Sequence, residues 1–190
     1  MWPWAFKLDS LLYLSVVVFA CGGPSGIVIS DADKATFERN YKAFEKHHIG
    51  GIVSGDLDLF LELYSDTLKW SGPNTYDGSF QTKDDLATAA KGYLEIFENF
   101  SFESGGVNSV NDGGFWGGNL YSDNGEINTE PNGLRIYGIW NATHIESGAP
   151  VKLKFYAIQQ FNEAGKVILL NEWFDPSSME NQIQAFVENN

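Results

Sequence analysis

Three consecutive segments in the last third of the chain have the residue pattern of β-strands. They cover residues 134–145, 151–162 and 166–174, and they are rich in aromatic and β-branched side chains. Short turn sequences at residues 147–150 and 163–165 separate them. Connections of this length join strands that are neighbours and antiparallel. The pattern therefore predicts an antiparallel meander at the centre of the fold.

Helical periodicity precedes this meander. The large side chains of the first helical stretch recur at steps of four, three and four residues: Phe37, Tyr41, Phe44 and His48. Gly50-Gly51 and Gly55 are predicted to interrupt this helix, and Asp56 to begin a second one. A third helix should begin at Thr82, with Asp85 completing a capping box.

A last helix should follow the meander, because Asp175 followed by Pro176 is a typical helix start. Residues 100–110 predict a further strand. Residues 111–133, rich in Gly, Asn and Asp, predict a long loop. Helices, then an antiparallel sheet, then one closing helix define an α+β domain.

The first twenty residues are predicted to be a targeting segment. The apolar run at residues 11–20 is too short for a membrane-spanning helix, which needs about 20 residues. It has the length of the apolar region of a secretory signal. Its end, Val18-Phe19-Ala20-Cys21, resembles a bacterial lipobox, in which the cysteine is acylated and the signal is cut before it. The alternatives are an ordinary secretory signal, or an uncleaved anchor with a buried free cysteine.

The lipobox interpretation divides the chain into a signal peptide at 1–20, a flexible tether at 21–30 and a folded domain at 31–190. Lipidation of Cys21 would anchor the protein to a membrane of the bacterial cell envelope. Secretion is the alternative location.

Composition excludes several classes of partner. The net charge is −13, from 12 Lys and Arg against 25 Asp and Glu, which disfavours nucleic acid. A single cysteine excludes a disulfide framework and a cysteine-rich zinc site. His47 and His48 are adjacent on a predicted helix and point about 100° apart, so they do not easily share a metal. We expect neither a metal nor a nucleotide cofactor.

The turn at residues 163–165 gives a predicted register for the last hairpin. A three-residue loop ending in glycine closes such a hairpin directly. Counting back places Tyr156 opposite Glu172 and Lys154 opposite Phe174, with Lys154 and Glu172 diagonal on one face. The other face carries Phe155, Phe161 and Trp173. Both faces are apolar, which predicts helices on one side and a second subunit on the other.

Several motifs give the chain a resemblance to the SnoaL-like group of the nuclear transport factor 2-like superfamily, over about residues 33–188. They are Gly55-Asp56, Asp66-Thr67-Leu68-Lys69-Trp70 before Gly72-Pro73, Lys83-Asp84-Asp85, Tyr137-Gly138-Ile139-Trp140, Gly165-Lys166-Val167 and Glu172-Trp173-Phe174-Asp175. The resemblance implies a cone: a curved antiparallel sheet wraps around the N-terminal helices and encloses a pocket. It also implies a homodimer formed through the outer face of the sheet.

Members of this superfamily include polyketide cyclases, ketosteroid isomerases, limonene epoxide hydrolases and proteins that only bind or assemble, so the fold does not give the function. The final catalytic Asp of limonene epoxide hydrolase falls on Glu172. Its other two strand-borne catalytic residues, an Arg and an Asp, fall on Ile139 and Asn141. Neither residue supplies the missing charge, so epoxide hydrolysis by that mechanism is not expected.

The resemblance also predicts which side chains point into the cone. Glu172 is the candidate general acid or base, because burial raises the pKa of a carboxyl group, and Tyr156 is its candidate hydrogen-bond partner. The other predicted pocket residues are Trp70, Trp116, Tyr137, Asn141, Lys154 and Phe174. Two alternatives stay open: an ion pair between Lys154 and Glu172 on the sheet, and a core built from the Phe155 face.

Three functions are compatible with these features. The first is a lipid-anchored domain that binds a small hydrophobic organic molecule in an aromatic-rich pocket. The second is a cofactor-independent isomerase, cyclase or dehydratase that uses Glu172. The third is a cell-surface assembly or interaction module with a vestigial pocket.

Overall fold

The computed structural model describes residues 29–105, 114–117 and 130–190. The predicted signal at 1–20, Cys21 and nearly all of the tether lie outside the described residues, so their assignment stays a prediction. None of the described helices has both the length and the apolar character that crossing a membrane requires.

One continuous helical segment opens the domain. It has three parts in sequence: α1 (Asp31–Ala43), a π-helix (Phe44–Ile49) and α2 (Gly50–Ser54). The prediction that Gly50 and Gly51 interrupt the helix is wrong. Gly51 lies inside it because the backbone of Phe60 packs there, and a Cβ atom on Gly51 would lie 2.6 Å from the Phe60 nitrogen. The segment ends at Gly55, whose φ of 70° is in the left-handed region.

The other three helices are α3 (Leu57–Leu61), α4 (Lys83–Ile96) and α5 (Pro176–Glu188). Asp56 caps α3, and Thr82 with Asp85 forms the predicted capping box of α4. Asp175 caps α5 with Pro176 at its first position, which confirms the predicted helix start.

A mixed sheet of six strands forms the other layer. The strands are β1 (Tyr64–Ser71), β2 (Phe97–Ser104), β3 (Phe115–Trp116), β4 (Gly133–His144), β5 (Pro150–Phe161) and β6 (Val167–Trp173). The main order is β1-β6-β5-β4-β2, with β3 paired to β4. Strands β4, β5 and β6 form the predicted antiparallel meander. Strand β1 adds to β6 in parallel, which the sequence pattern did not indicate. The α+β class and the curved sheet with its N-terminal helices are confirmed.

The register of the last hairpin differs from the predicted one by a single residue. Near the turn, Phe161 pairs with Val167 as expected, but the next pair is Gln160 with Leu169. Ile168 is therefore an extra residue in β6, a β-bulge. Every residue of β6 after it lies on the face opposite to the predicted one.

Because of this bulge, Glu172 pairs with Ala157 and shares the inner face of the sheet with Phe155. Tyr156 pairs instead with Trp173, which is 52% exposed on the outer face. The inner face is the core: the inward residues of β4 and β5 include Leu134, Ile136, Ala157 and Phe161, all fully or nearly fully buried. The sequence left open a core built from the face of Phe155, and the structure has this core. In β6 that face carries Glu172, where the predicted register had placed Trp173.

Candidate functional site

A cavity of about 310 Å³ lies against the inner face of the sheet. Side chains from β1, β2, β4, β5, β6, α4, α5 and the first helical segment line it. Its aromatic side chains, apart from the imidazole of His48, are Phe60, Trp70, Tyr93, Phe97, Phe100, Trp140, Phe155 and Phe174. A volume of this size with mainly apolar walls is typical of a small-molecule site.

Glu172 is the one acidic side chain that lines the cavity within the described part of the chain. It is 8% exposed, and its Oε2 atom accepts a hydrogen bond of 2.8 Å from the indole Nε1 of Trp70. The parallel pairing of β1 with β6 sets Trp70 opposite Leu170, which brings the indole next to Glu172. No described residue donates a hydrogen bond to Oε1, so this oxygen is available to a bound molecule.

Burial changes the protonation of Glu172. Removing the carboxylate from water raises the pKa of Glu172 from 4.5 to about 7, and the hydrogen bond from Trp70 opposes part of this rise. A group with this pKa exists as acid and as carboxylate in comparable amounts near neutral pH. It is suited to both accepting and returning a proton.

Two tyrosines lie in the electrostatic field of Glu172. Burial raises the pKa of Tyr64 well above 10, and the negative charge of Glu172 adds to the rise. The pKa of Tyr93 is raised by the same two causes. Both hydroxyl groups therefore keep their protons at neutral pH.

His48 is one of three titratable side chains on the cavity wall, and the other two are Glu172 and Tyr93. The π-helix carries it, and it is 4% exposed. Its Nδ1 atom lies 2.5 Å from the Tyr64 hydroxyl oxygen, and its ring stacks on Phe44 at 4.6 Å between centroids. Burial lowers the pKa of His48 to about 3, so the ring is neutral over the physiological pH range.

Three of the residues predicted for the site lie on the cavity: Glu172, Trp70 and Phe174. For Trp116, which is in β3, the side chain lies outside the described part of the structure. Trp140, the other tryptophan on the cavity, contacts Phe155 and Phe102 with ring centroids 6.5 and 4.9 Å apart.

The other four predicted residues face away from the cavity, and their placement in it is corrected. Tyr156 packs on Trp173 with ring centroids 5.4 Å apart, so it is not the partner of Glu172. Tyr137 pairs with Tyr156 on that same outer face. Asn141 donates to Glu103 at 2.9 Å on the outer face, where Lys154 also lies. The common cause is the predicted register, which set these four residues on the face of Glu172, whereas the bulge at Ile168 places Glu172 on the opposite face of the sheet.

The same correction changes two earlier interpretations: the ion pair between Lys154 and Glu172, and the residues of β4 that face the cavity. Lys154 and Glu172 lie on opposite faces, so they do not form the ion pair considered from the sequence. The residues through which β4 meets the cavity are Trp140 and Ala142, in place of Ile139 and Asn141. Neither carries a charge, so these positions of β4 still lack the Arg and Asp of a limonene epoxide hydrolase.

Sequence reasoning missed His48, Tyr64 and Tyr93 as parts of the site. A signal existed for His48, since it continues the stripe of Phe37, Tyr41 and Phe44 toward the core. Tyr64 follows Phe60 by four residues, but it belongs to β1 and reaches His48 across the fold. No group of three or more His, Cys, Asp or Glu side chains among the described residues is arranged to hold a metal ion.

Comparisons of sequence with family models and with curated proteins found no match. Comparison of structure did. PrhC from Penicillium brasilianum superimposes with a TM-score of 0.58 at 14% identity, over 81% of this chain and 91% of PrhC. IdmH from Streptomyces antibioticus, described as a candidate polyketide cyclase, gives 0.54 at 13%, over 76% and 98%. An epoxide hydrolase of M. tuberculosis gives 0.51 at 11%, over 80% and 93%. The chain shares the fold of these solved structures, which is the nuclear transport factor 2-like fold that the sequence resemblance implies.

Proposed function

We propose that this domain binds a small, mainly apolar organic molecule in the cavity and holds it against the carboxyl group of Glu172. One observation supports this most strongly: a single buried carboxyl group lies on a mainly apolar wall, with one of its oxygens without a hydrogen-bond donor among the described residues. Apolar walls supply the driving force for binding, since each buried Å² contributes about 25 cal/mol. The free oxygen gives the bound molecule its orientation.

A second candidate, acid and base catalysis, is favoured by the pKa of about 7 at Glu172. As a carboxylate, Glu172 takes a proton from one position of the bound molecule, and as an acid it returns that proton to another position. The molecule is isomerised, cyclised or, where a hydroxyl group leaves with the proton as water, dehydrated. Trp70 keeps the carboxyl group in place during the transfer.

The first experiment is native mass spectrometry of the full-length protein, purified gently from extracts of its own cells. We expect a bound small molecule that is released on denaturation. A protein that comes through this purification empty, and that binds no member of a panel of small apolar compounds, would contradict the binding proposal and favour an assembly role.

Glu172→Gln separates binding from catalysis. The amide keeps the size of the side chain but transfers no proton, so binding of the identified molecule should persist. If the protein is an enzyme, its turnover should fall by about 10² to 10⁴-fold. Lys154→Gln on the outer face is the matched control and should leave both properties unchanged. Full turnover by Glu172→Gln would remove the catalytic candidate and leave the binding proposal standing.

Location and assembly complete the proposal. A lipid on Cys21 anchors the domain to a membrane of a bacterial envelope, and Cys21→Ser should abolish incorporation of labelled fatty acid and release the protein from membranes.

Two copies pair through the outer face of the sheet, where Trp173 is 52% exposed and packs on Tyr156. Sedimentation should show a dimer for the wild-type chain and a monomer for Trp173→Asp.

A further inference from the structure

His48 is a buried polar side chain of the cavity that the proposed function does not use. It lies on the π-helix, and π-helical segments inside α-helices occur frequently at functional sites. Aromatic rings surround it, with centroids of Phe60, Trp140 and Phe155 at 5.1, 6.1 and 6.1 Å. An imidazole ring in such surroundings needs hydrogen-bond partners for both nitrogens, since an unpaired buried polar group costs about 1–3 kcal/mol.

The contact with Tyr64 determines which nitrogen carries the proton. The Tyr64 side chain is 2% exposed, and its hydroxyl group has one hydrogen-bond partner among the described residues, Nδ1 of His48. Burial favours the arrangement in which the hydroxyl group donates its proton, and Nδ1 is the acceptor within hydrogen-bond distance among the described residues. A neutral ring whose Nδ1 accepts has its proton on Nε2.

The Nε2 atom is therefore a hydrogen-bond donor. The described residues supply no acceptor for it, while His48 is part of the cavity wall. The fully buried side-chain atoms without a partner in the described part of the chain belong to Arg135 and Gln159. Since Nε2 of His48 is not one of them, it keeps some contact with open space. A molecule in the cavity can reach it.

We infer that the Nε2–H group of His48 donates a hydrogen bond to an acceptor oxygen of the bound molecule, and that His48 thereby selects uncharged carbonyl or ether compounds over hydrocarbons of the same shape. This inference rests on the proposed function, because it specifies the ligand class of the same cavity. An anionic ligand fits less well, since the ring is neutral and the ionised Glu172 repels negative charge.

The position of the proton is tested without any ligand. Two-bond proton–nitrogen correlation spectra of full-length protein labelled with ¹⁵N distinguish the two neutral tautomers of histidine. The signal of His48 is identified by its loss in His48→Phe. We expect one neutral ring with its proton on Nε2 from pH 5 to pH 8. A proton on Nδ1 would overturn the inference.

The selectivity is tested with 1-tetralone and tetralin, two bicyclic molecules of nearly the same shape that differ in a carbonyl group. Their dissociation constants are measured by quenching of tryptophan fluorescence, because Trp70 and Trp140 line the cavity. One hydrogen bond contributes about 0.5–1.5 kcal/mol. In His48→Phe the ratio of the two constants should therefore shift by about 2- to 13-fold in favour of tetralin.

His47→Phe is the matched control, because His47 lies on the same π-helix and its Nδ1 contacts Leu59 and Glu62 rather than the cavity. It should leave the ratio unchanged. A ratio unchanged in His48→Phe, with both compounds bound, would overturn the role of His48 and leave the proposed function intact. If the wild-type protein bound neither compound, this ligand class would be contradicted. A co-purified molecule of another class would then support the proposed function without the inference about His48.

Discussion

At the scale of single residues, the central feature is the hydrogen bond between Trp70 and Glu172. The indole N–H is the one donor that the described residues offer to this carboxyl group, and it stabilises the charged form against burial. The pKa of Glu172 thus depends on two opposing effects, of which burial is the larger. A change at either residue shifts the proton affinity of the cavity.

We predict that Trp70→Phe raises the pKa of Glu172 further. A hydrogen bond to a charged group contributes about 1.5–3 kcal/mol, and its loss corresponds to a rise of about 1 to 2 units. Carboxyl ¹³C chemical shifts followed against pH measure it in the full-length protein. Trp140→Phe is the control, because it removes an indole of the same cavity that donates no hydrogen bond to Glu172. A lowered pKa in Trp70→Phe would contradict the assignment of the donor.

The sequence could predict a residue of the site, but it could not predict a partner that lies far away along the chain. The sequence led to Glu172 as an acid in an apolar pocket, and the structure places it there. It did not lead to Trp70 as the hydrogen-bond donor, because the two residues are 102 positions apart and meet only through the parallel pairing of β1 and β6. Tyr156 was chosen instead from the predicted register, which the bulge at Ile168 changes.

At the scale of elements, the helix starts and the helix end at Gly55 were predictable, but the continuity of the first helix through Gly50 and Gly51 was not. Asp56, Thr82 and Asp175 cap the helices that they were predicted to cap, since a cap depends on side chains a few residues apart. Gly50 and Gly51 resemble a break, but they continue the helix because Gly51 allows close contact with Phe60. That contact is tertiary, and no local pattern indicates it.

Substitution of these two glycines should have opposite effects. In Gly51→Ala the new methyl group would lie 2.6 Å from the backbone nitrogen of Phe60, so we expect a loss of about 1–3 kcal/mol in the free energy of unfolding. In Gly50→Ala the nearest atom is 3.5 Å away, and alanine favours the helix by about 0.8–1.0 kcal/mol. Urea denaturation measures both. Equal stability of the two variants would contradict the packing of Gly51 on Phe60.

At the scale of the whole molecule, two buried groups make stability depend on pH in opposite directions. The pKa of Glu172 is raised from 4.5 to about 7, so its contribution to stability is present below pH 4.5 and is lost as the pH rises through 7. The pKa of His48 is lowered from 6.5 to about 3, so its contribution is present above pH 6.5 and is lost as the pH falls through 3. Between about pH 4.5 and 6.5 the two trends oppose each other.

We predict that removing either group exposes the trend of the other. Between pH 4.5 and 6.5, Glu172→Gln should gain about 2–3 kcal/mol of stability relative to the wild-type protein as the pH rises, and His48→Phe should lose a similar amount. The free energy of unfolding in urea, measured at several pH values for all three proteins, tests this. Parallel profiles for wild-type protein and both variants would show that neither pKa is shifted by folding.

The overall architecture followed from the sequence to a large extent, because the three strands of the meander and the closing helix are each marked by local patterns. The parallel addition of β1 to β6 was not predictable in this way. It joins segments about a hundred residues apart, and the residues of β1 carry no pattern that distinguishes one sheet neighbour from another.

The bulge at Ile168 has a consequence for how such a protein can evolve. Beyond this residue the face of β6 that lines the cavity is determined by a count of residues and not by their identity. Loss of the codon for Ile168 would remove the extra residue and leave Glu172 opposite Ala157. Loss of one codon between Leu169 and Asn171, with the bulge kept, would instead bring the indole of Trp173 to the cavity wall in place of the carboxyl group of Glu172, with no substitution anywhere in the gene. A one-codon length change in this strand is therefore a route by which descendants of one ancestor can acquire a reactive group, or lose it, in a single step.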